Sequence, residues 1–150
     1  MHSSAVEKIH RLMSRVPHWL LTAVCLAAIL YLTLVPDPLG DDSPSLFEGA
    51  DKVAHGIMFF GLVLCALFDA QRARGWRAVP LPGVALATVL GMGAGIGIEY
   101  LQRAMDLGRG FEGADMAADA VGAVVAGALW TFIGGALCAG PSRHDTSDNS

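Results

Sequence analysis

Four apolar runs decide most of what this chain can become. Trp19 to Val35 carries no charge and Val53 to Phe68 carries only His55, while Ala78 to Ile98 and Ala120 to Ser142 carry none. A bilayer core takes about 20 predominantly apolar residues per helix, with some tolerance at the short end. Each run reaches that length once its flanks are counted. A soluble protein can hide a helix that is apolar all round only behind polar elements. Few such elements are left here, because 53% of the residues are hydrophobic and 16% are charged, where an ordinary globular domain has about a quarter charged. The expected fold class is all-α: one integral membrane bundle of four transmembrane helices.

The basic residues orient the bundle. Lys8, Arg11 and Arg15 precede the first run, Arg72, Arg74 and Arg77 separate the second from the third, and Arg143 follows the fourth. The two remaining connections hold only Lys52, Arg103 and Arg109, beside Asp37, Asp41, Asp42, Glu48 and Asp51 in the first of them. By the positive-inside rule this asymmetry puts both the N-terminus and the C-terminus in the cytoplasm of a multi-pass protein of the inner (plasma) membrane. The expected parts are a cytoplasmic amphipathic segment over 1–17, a four-helix membrane domain over 18–138 and a disordered polar tail over 139–150.

Within the first part, Val6, Ile9, Leu12, Met13 and Val16 recur at helical spacing opposite Lys8, Arg11 and Arg15. That pattern suits either a helix lying in the headgroup region or an extension of the first span, and Pro17 favours a change of direction between them. The first run has the basic start of a signal peptide, but Leu32-Thr33-Leu34-Val35-Pro36 offers no small-residue cleavage site. It reads as a retained helix. The stretch 36–50 reads as an irregular acidic loop outside and Arg72 to Arg77 as a short basic loop inside. Gly108, Gly110 and Gly113 make the third connection pliable. Cys25, Cys65 and Cys138 fall in separate runs without metal or redox spacing, and read as small buried hydrophobes.

The third run carries Gly91, Gly93, Gly95 and Gly97. Two overlapping small-xxx-small spacings of this kind let helix backbones approach closely. Internal packing against the fourth run, where Ala118, Gly122 and Ala126 repeat the spacing, is the simpler use; a homodimer through these glycines is the alternative.

Polar residues gather where alternating topology brings helix ends together. The start of the second span has Asp51, Lys52 and His55, the end of the third has Glu99 and Gln102, and Arg109, Asp115 and Asp119 lead into the fourth. Residues four apart share a helix face, so Asp51 and His55 form one set and Asp115 and Asp119 another. The expected arrangement is an outward funnel with Asp51, Lys52, Arg109 and Asp115 at the rim and His55, Glu99 and Asp119 a turn deeper. Bland roles exist for single members: Asp115 as a helix cap, Lys52 reaching to the interface, Arg103 neutralising Glu99, and the whole set as interhelical polar glue. Four carboxylates so close resist simultaneous ionisation, which calls for a bound cation or for a proton kept on the deepest, Asp119.

Asp51-Lys52-Val53-Ala54-His55, Glu99-Tyr100-Leu101-Gln102, Gly108-Arg109 with Asp115 six positions on, and Gly122 together resemble the pattern of VanZ-like membrane proteins. The match runs from residue 51 to about 127. It departs at Asp119, where that family usually has asparagine. The resemblance implies a multi-helix membrane fold and marks Asp51, Lys52, His55, Glu99, Gln102, Arg109 and Asp115 as motif residues. The family takes its name from an accessory protein of glycopeptide resistance, linked to reduced teicoplanin susceptibility, but the resemblance supplies no biochemical activity.

Three functions follow as expectations. The first is binding of a cell-envelope component at the outer leaflet: a lipid headgroup, a lipid-linked cell-wall intermediate or a glycopeptide, with membrane lipids as partners. The second is a membrane enzyme using His55 with Glu99 or Asp119 as an acid/base pair, or a divalent metal held by His55, Glu99, Asp115 and Asp119; no cofactor is required by the sequence. The third is a small transporter or proton relay. Too few bases, all in membrane-flanking segments, stand against a nucleic-acid role.

Overall fold

Prolines and left-handed residues set the helix ends. A computed structural model describes residues 3–35, 49–105 and 113–138. They form α1 (Ser3–Met13), α2 (Leu20–Leu34), α3 (Ala50–Ala73), α4 (Leu81–Ala104) and α5 (Gly113–Ile133), which tightens into a 3-10 turn over Gly134–Leu137. Helices α3 and α4, and α5 with its 3-10 extension, are long and apolar enough to cross a membrane. Helix α2 is apolar too but has only 15 residues, roughly 22 Å at 1.5 Å per residue. Trp19 stands before it in the left-handed region at φ 68°, and Val35 after it is extended at ψ 126°. Extension is what a residue preceding proline is driven to, and Pro36 follows. Of four expected spans, three therefore have full length and the first is short.

Chain reversal between α3 and α4 uses two consecutive left-handed residues, Gly75 and Trp76, at φ 65° and 62°. Pro80 stands at the N-cap of α4 and Pro82 within its first turn, where the missing N–H costs nothing. The basic loop expected over Arg72–Arg77 is shorter than the sequence suggested, because α3 continues through Ala73. Arg72 is buried there: it donates to Asp69 Oδ1 at 2.6 Å, three residues back and itself fully buried. This removes one cation from the side assigned to the cytoplasm without reversing the asymmetry. Helix α5 starts at Gly113 and is followed by the 3-10 turn ending at Leu137, so both its ends come earlier than the apolar run implied. Residues 36–48 of the expected acidic loop, Gly108, Arg109 and Gly110, and the expected tail from Ala139 lie outside the described residues.

Helix α3 is the central element, packed on α2, α4 and α5. One core cluster joins Val63 and Leu67 of α3, Val84 of α4, and Ala123, Ala126 and Trp130 of α5. A second joins Ile29 of α2, Phe59 and Leu62 of α3, and Ile98 of α4. Large apolar side chains remain on the outside, among them Val24, Ile57, Val89, Val121 and Phe132, while Asp69, Arg72, Glu99 and Asp119 are inside. Apolar outside with paired polar groups inside is the distribution a bilayer demands.

Glycine sets how close the helices come. A Cβ on Gly122 of α5 would run into the backbone carbonyl of Gly56 on α3, and one on Gly91 of α4 into the Val63 side chain. Gly93 and Gly97 face outward with nothing within 4 Å. The two overlapping glycine spacings of α4 thus point different ways, Gly91 and Gly95 into the bundle and Gly93 and Gly97 away from it.

The end of the bundle carrying the α3 C-terminus is tied by polar contacts. Asp69 Oδ2 accepts from the Thr22 backbone N–H at 3.0 Å and from its hydroxyl at 2.9 Å. Arg72 Nη2 donates to the carbonyls of Met13 and Val16. Gln71 Nε2 donates to Gly134 O at 2.9 Å. His10 stacks on Trp76 at 3.9 Å and donates from Nε2 to Leu137 O at 3.0 Å. Helix α1 is therefore moored at its C-terminal half, while Ile9 and Leu12 stay exposed, free to meet a membrane interface.

Candidate functional site

The opposite end gathers the start of α3, the end of α4 and the start of α5, and there the candidate residues fall into a gradient of burial. At its outer edge the Asp51 carboxylate is 58% exposed and accepts from Lys52 Nζ at 3.0 Å. The same ammonium lies 3.4 Å from Asp115 Oδ1, an ion-pair distance outside hydrogen-bond geometry. Exposed pairs of this kind add little stability, but here two carboxylates on different helices share one cation. Asp115 lies in the first turn of α5. Its place inside the helix corrects the expectation that it caps α5; there it favours the helix dipole.

Deeper in, His55 Nδ1–H donates to Asp119 Oδ1 at 3.1 Å, and both side chains are buried. The pair bridges α3 and α5 one residue from the Gly56 contact and three from Gly122. Its floor is α4, where a Cβ on Gly95 would meet Asp119 Oδ2 at 2.7 Å and Asp119 Cβ at 2.8 Å. Gly95 therefore admits Asp119, a role that its small-xxx-small spacing with Gly91 concealed. His55 also gives the Asp119 carboxylate a hydrogen-bond donor on the facing helix, a partner the sequence does not identify. In the neutral tautomer with the proton on Nδ1, Nε2 is the reactive nitrogen, and Nε2 has no hydrogen-bond partner among the described residues.

Two further candidates are buried. Glu99, one turn above Gly95 on α4, is 4% exposed. Gln102 donates from Nε2 to the carbonyl of Thr33 at 2.9 Å, near the C-terminus of α2 where backbone acceptors lack helical partners. Gln102 thus ties α4 to α2, and its buried partner is backbone. The structure brings Asp51, Lys52 and Asp115 together, and separately His55 and Asp119. Arg109 lies outside the described residues. Among the described residues no three His, Cys, Asp or Glu side chains are grouped to hold a metal ion, so the ligand set of His55, Glu99, Asp115 and Asp119 is not assembled as one site.

Sequence reasoning missed Thr33 and Gly95 at this end, and the Asp69–Arg72–Thr22 network at the other. The spacing of Asp69 and Arg72, three apart at the end of an apolar run, was the available signal for the network. Comparison with family models, with curated proteins and with solved structures finds no match to this chain.

Proposed function

We propose that the chain is a VanZ-like, multi-pass protein of the plasma membrane, with four spans and both termini cytoplasmic. Its polar end at the outer leaflet binds a cell-envelope component, either a lipid headgroup or a lipid-linked cell-wall intermediate. The observation that carries this reading is His55: its imidazole is held on Asp119 through Nδ1, with Nε2 unengaged among the described residues, at the end where Asp51, Lys52 and Asp115 gather. Asp51, Asp115 and this nitrogen are acceptors, so they suit a head that brings hydroxyl, amide or ammonium donors. Lys52, already between two carboxylates, is no simple phosphate trap.

A second reading rests on the same pair. A carboxylate that orients an imidazole is an acid/base arrangement, and a His55 with a reactive Nε2 could move a proton on the bound head.

Mass spectrometry of lipids released from detergent-purified protein tests the binding. The wild type should release an envelope lipid or lipid-linked intermediate that His55→Ala and Glu99→Gln lose by at least tenfold. Asp119→Asn should retain it and keep stability within about 1 kcal/mol, because the asparagine oxygen still accepts from Nδ1–H. Unchanged lipid content in His55→Ala and Glu99→Gln, with folding intact, would reduce the cluster to glue.

A further inference from the structure

An apolar groove between the membrane-facing helices avoids the polar end. A groove of about 560 Å³ runs between α2, α3 and α4, with Leu26, Leu62, Ala87 and Gly91 among its walls and Trp19 and Arg74 at one end. Near the polar end α2 and α4 are pinned by Gln102 on Thr33 O and by the cluster of Ile29, Phe59, Leu62 and Ile98. Below that clasp the wall is almost wholly apolar.

The two arginines here have different fates. Arg72 is buried and spent on Asp69, Met13 O and Val16 O. Arg74 is exposed, and no hydrogen bond or ion pair engages its guanidinium among the described residues. Asp69, the nearest carboxylate along α3, already has both oxygens occupied by Arg72 and Thr22, so it does not cancel Arg74. A free guanidinium with five donors at the mouth of an apolar channel is complementary to a phosphate that carries a tail. From Arg74 to Leu62 is twelve residues, roughly 18 Å of helix, close to one leaflet of a hydrocarbon core about 30 Å thick. Trp19, half exposed at the same mouth, is a residue type that settles at headgroup level.

We infer that this groove holds one acyl chain of an anionic phospholipid, whose phosphate is bound by Arg74. This lipid is distinct from the ligand of the polar end and comes from the leaflet at the α3 C-terminus. Arg74 touches none of the polar-end residues, so the inference can fail or succeed independently of the function proposed above.

The test uses full-length protein, delipidated in detergent and offered phosphatidylglycerol or phosphatidylcholine of equal chain length, with retained lipid counted by native mass spectrometry. The wild type should retain phosphatidylglycerol in preference. Arg74→Gln, a change at an exposed residue, should lower its retention at least threefold and abolish the preference over phosphatidylcholine, whose choline already cancels the phosphate charge. Ala87→Leu, which fills the groove, should lower both at least threefold. Equal retention of the two lipids by the wild type, or a smaller change in either variant, overturns the assignment.

Discussion

Gly122→Leu should leave no stably folded protein in detergent, and Gly122→Ala should already cost about 1–3 kcal/mol, the usual range for overpacking a tight interior. The reason is backbone against backbone. A Cβ at this position meets the Gly56 carbonyl, and a carbonyl in a helix cannot swing aside as a side chain can. The helices must part, and they part where His55 and Asp119 meet, so the variant should lose any envelope lipid bound there as proposed, as well as stability. Gly93→Ala is the control on the same principle. Nothing lies within 4 Å of its added Cβ, and alanine is the better helix former by about 1 kcal/mol, so stability should hold or rise slightly. Thermal unfolding of both variants, followed by circular dichroism, separates the two outcomes.

Asp69→Ala should be the most damaging change at the other end, destabilising by about 3–5 kcal/mol, as removal of one partner from a buried ion pair does. Asp69 and Arg72 are both buried, and the substitution leaves a buried guanidinium without its counter-charge while freeing the N–H of Thr22. Replacing both charges, as in Asp69→Leu with Arg72→Met, should recover most of that loss, because apolar groups of similar size can substitute for a buried pair. The double variant should still loosen α1, since Arg72 also holds the carbonyls of Met13 and Val16. Limited proteolysis after Arg11 and Arg15 reads this directly: faster cleavage with restored thermal stability is the expected combination.

How much of this was legible in the sequence depends on whether the partner was a side chain with a pattern. His55 and Asp119 could be brought to one end from helix lengths and alternating direction alone, because each sits near the start of its apolar run. That they pair with each other, across α3 and α5, needed the close approach that Gly56 and Gly122 permit. Gln102 was placed correctly along α4, but its partner is a backbone carbonyl of α2, and no sequence pattern marks a carbonyl. Arg72 was read as a loop cation because charge after an apolar run usually means the helix has ended. The helix goes on because Asp69, one turn earlier, takes the charge inside. The short α2 follows from Pro36 and Trp19; the proline was legible, the left-handed tryptophan was not.

The proposed function requires the polar end to stand open to the outside, and thiol labelling in intact cells measures that most directly. In a background without Cys25, Cys65 and Cys138, single cysteines replace Asp51 at the exposed rim and Arg77 beyond α3. The cysteine at position 51 should react with a membrane-impermeant reagent in whole cells, and the one at 77 only after lysis. Labelling at 77 in intact cells with none at 51 would put the cluster in the cytoplasm, where no outer-leaflet component could reach it.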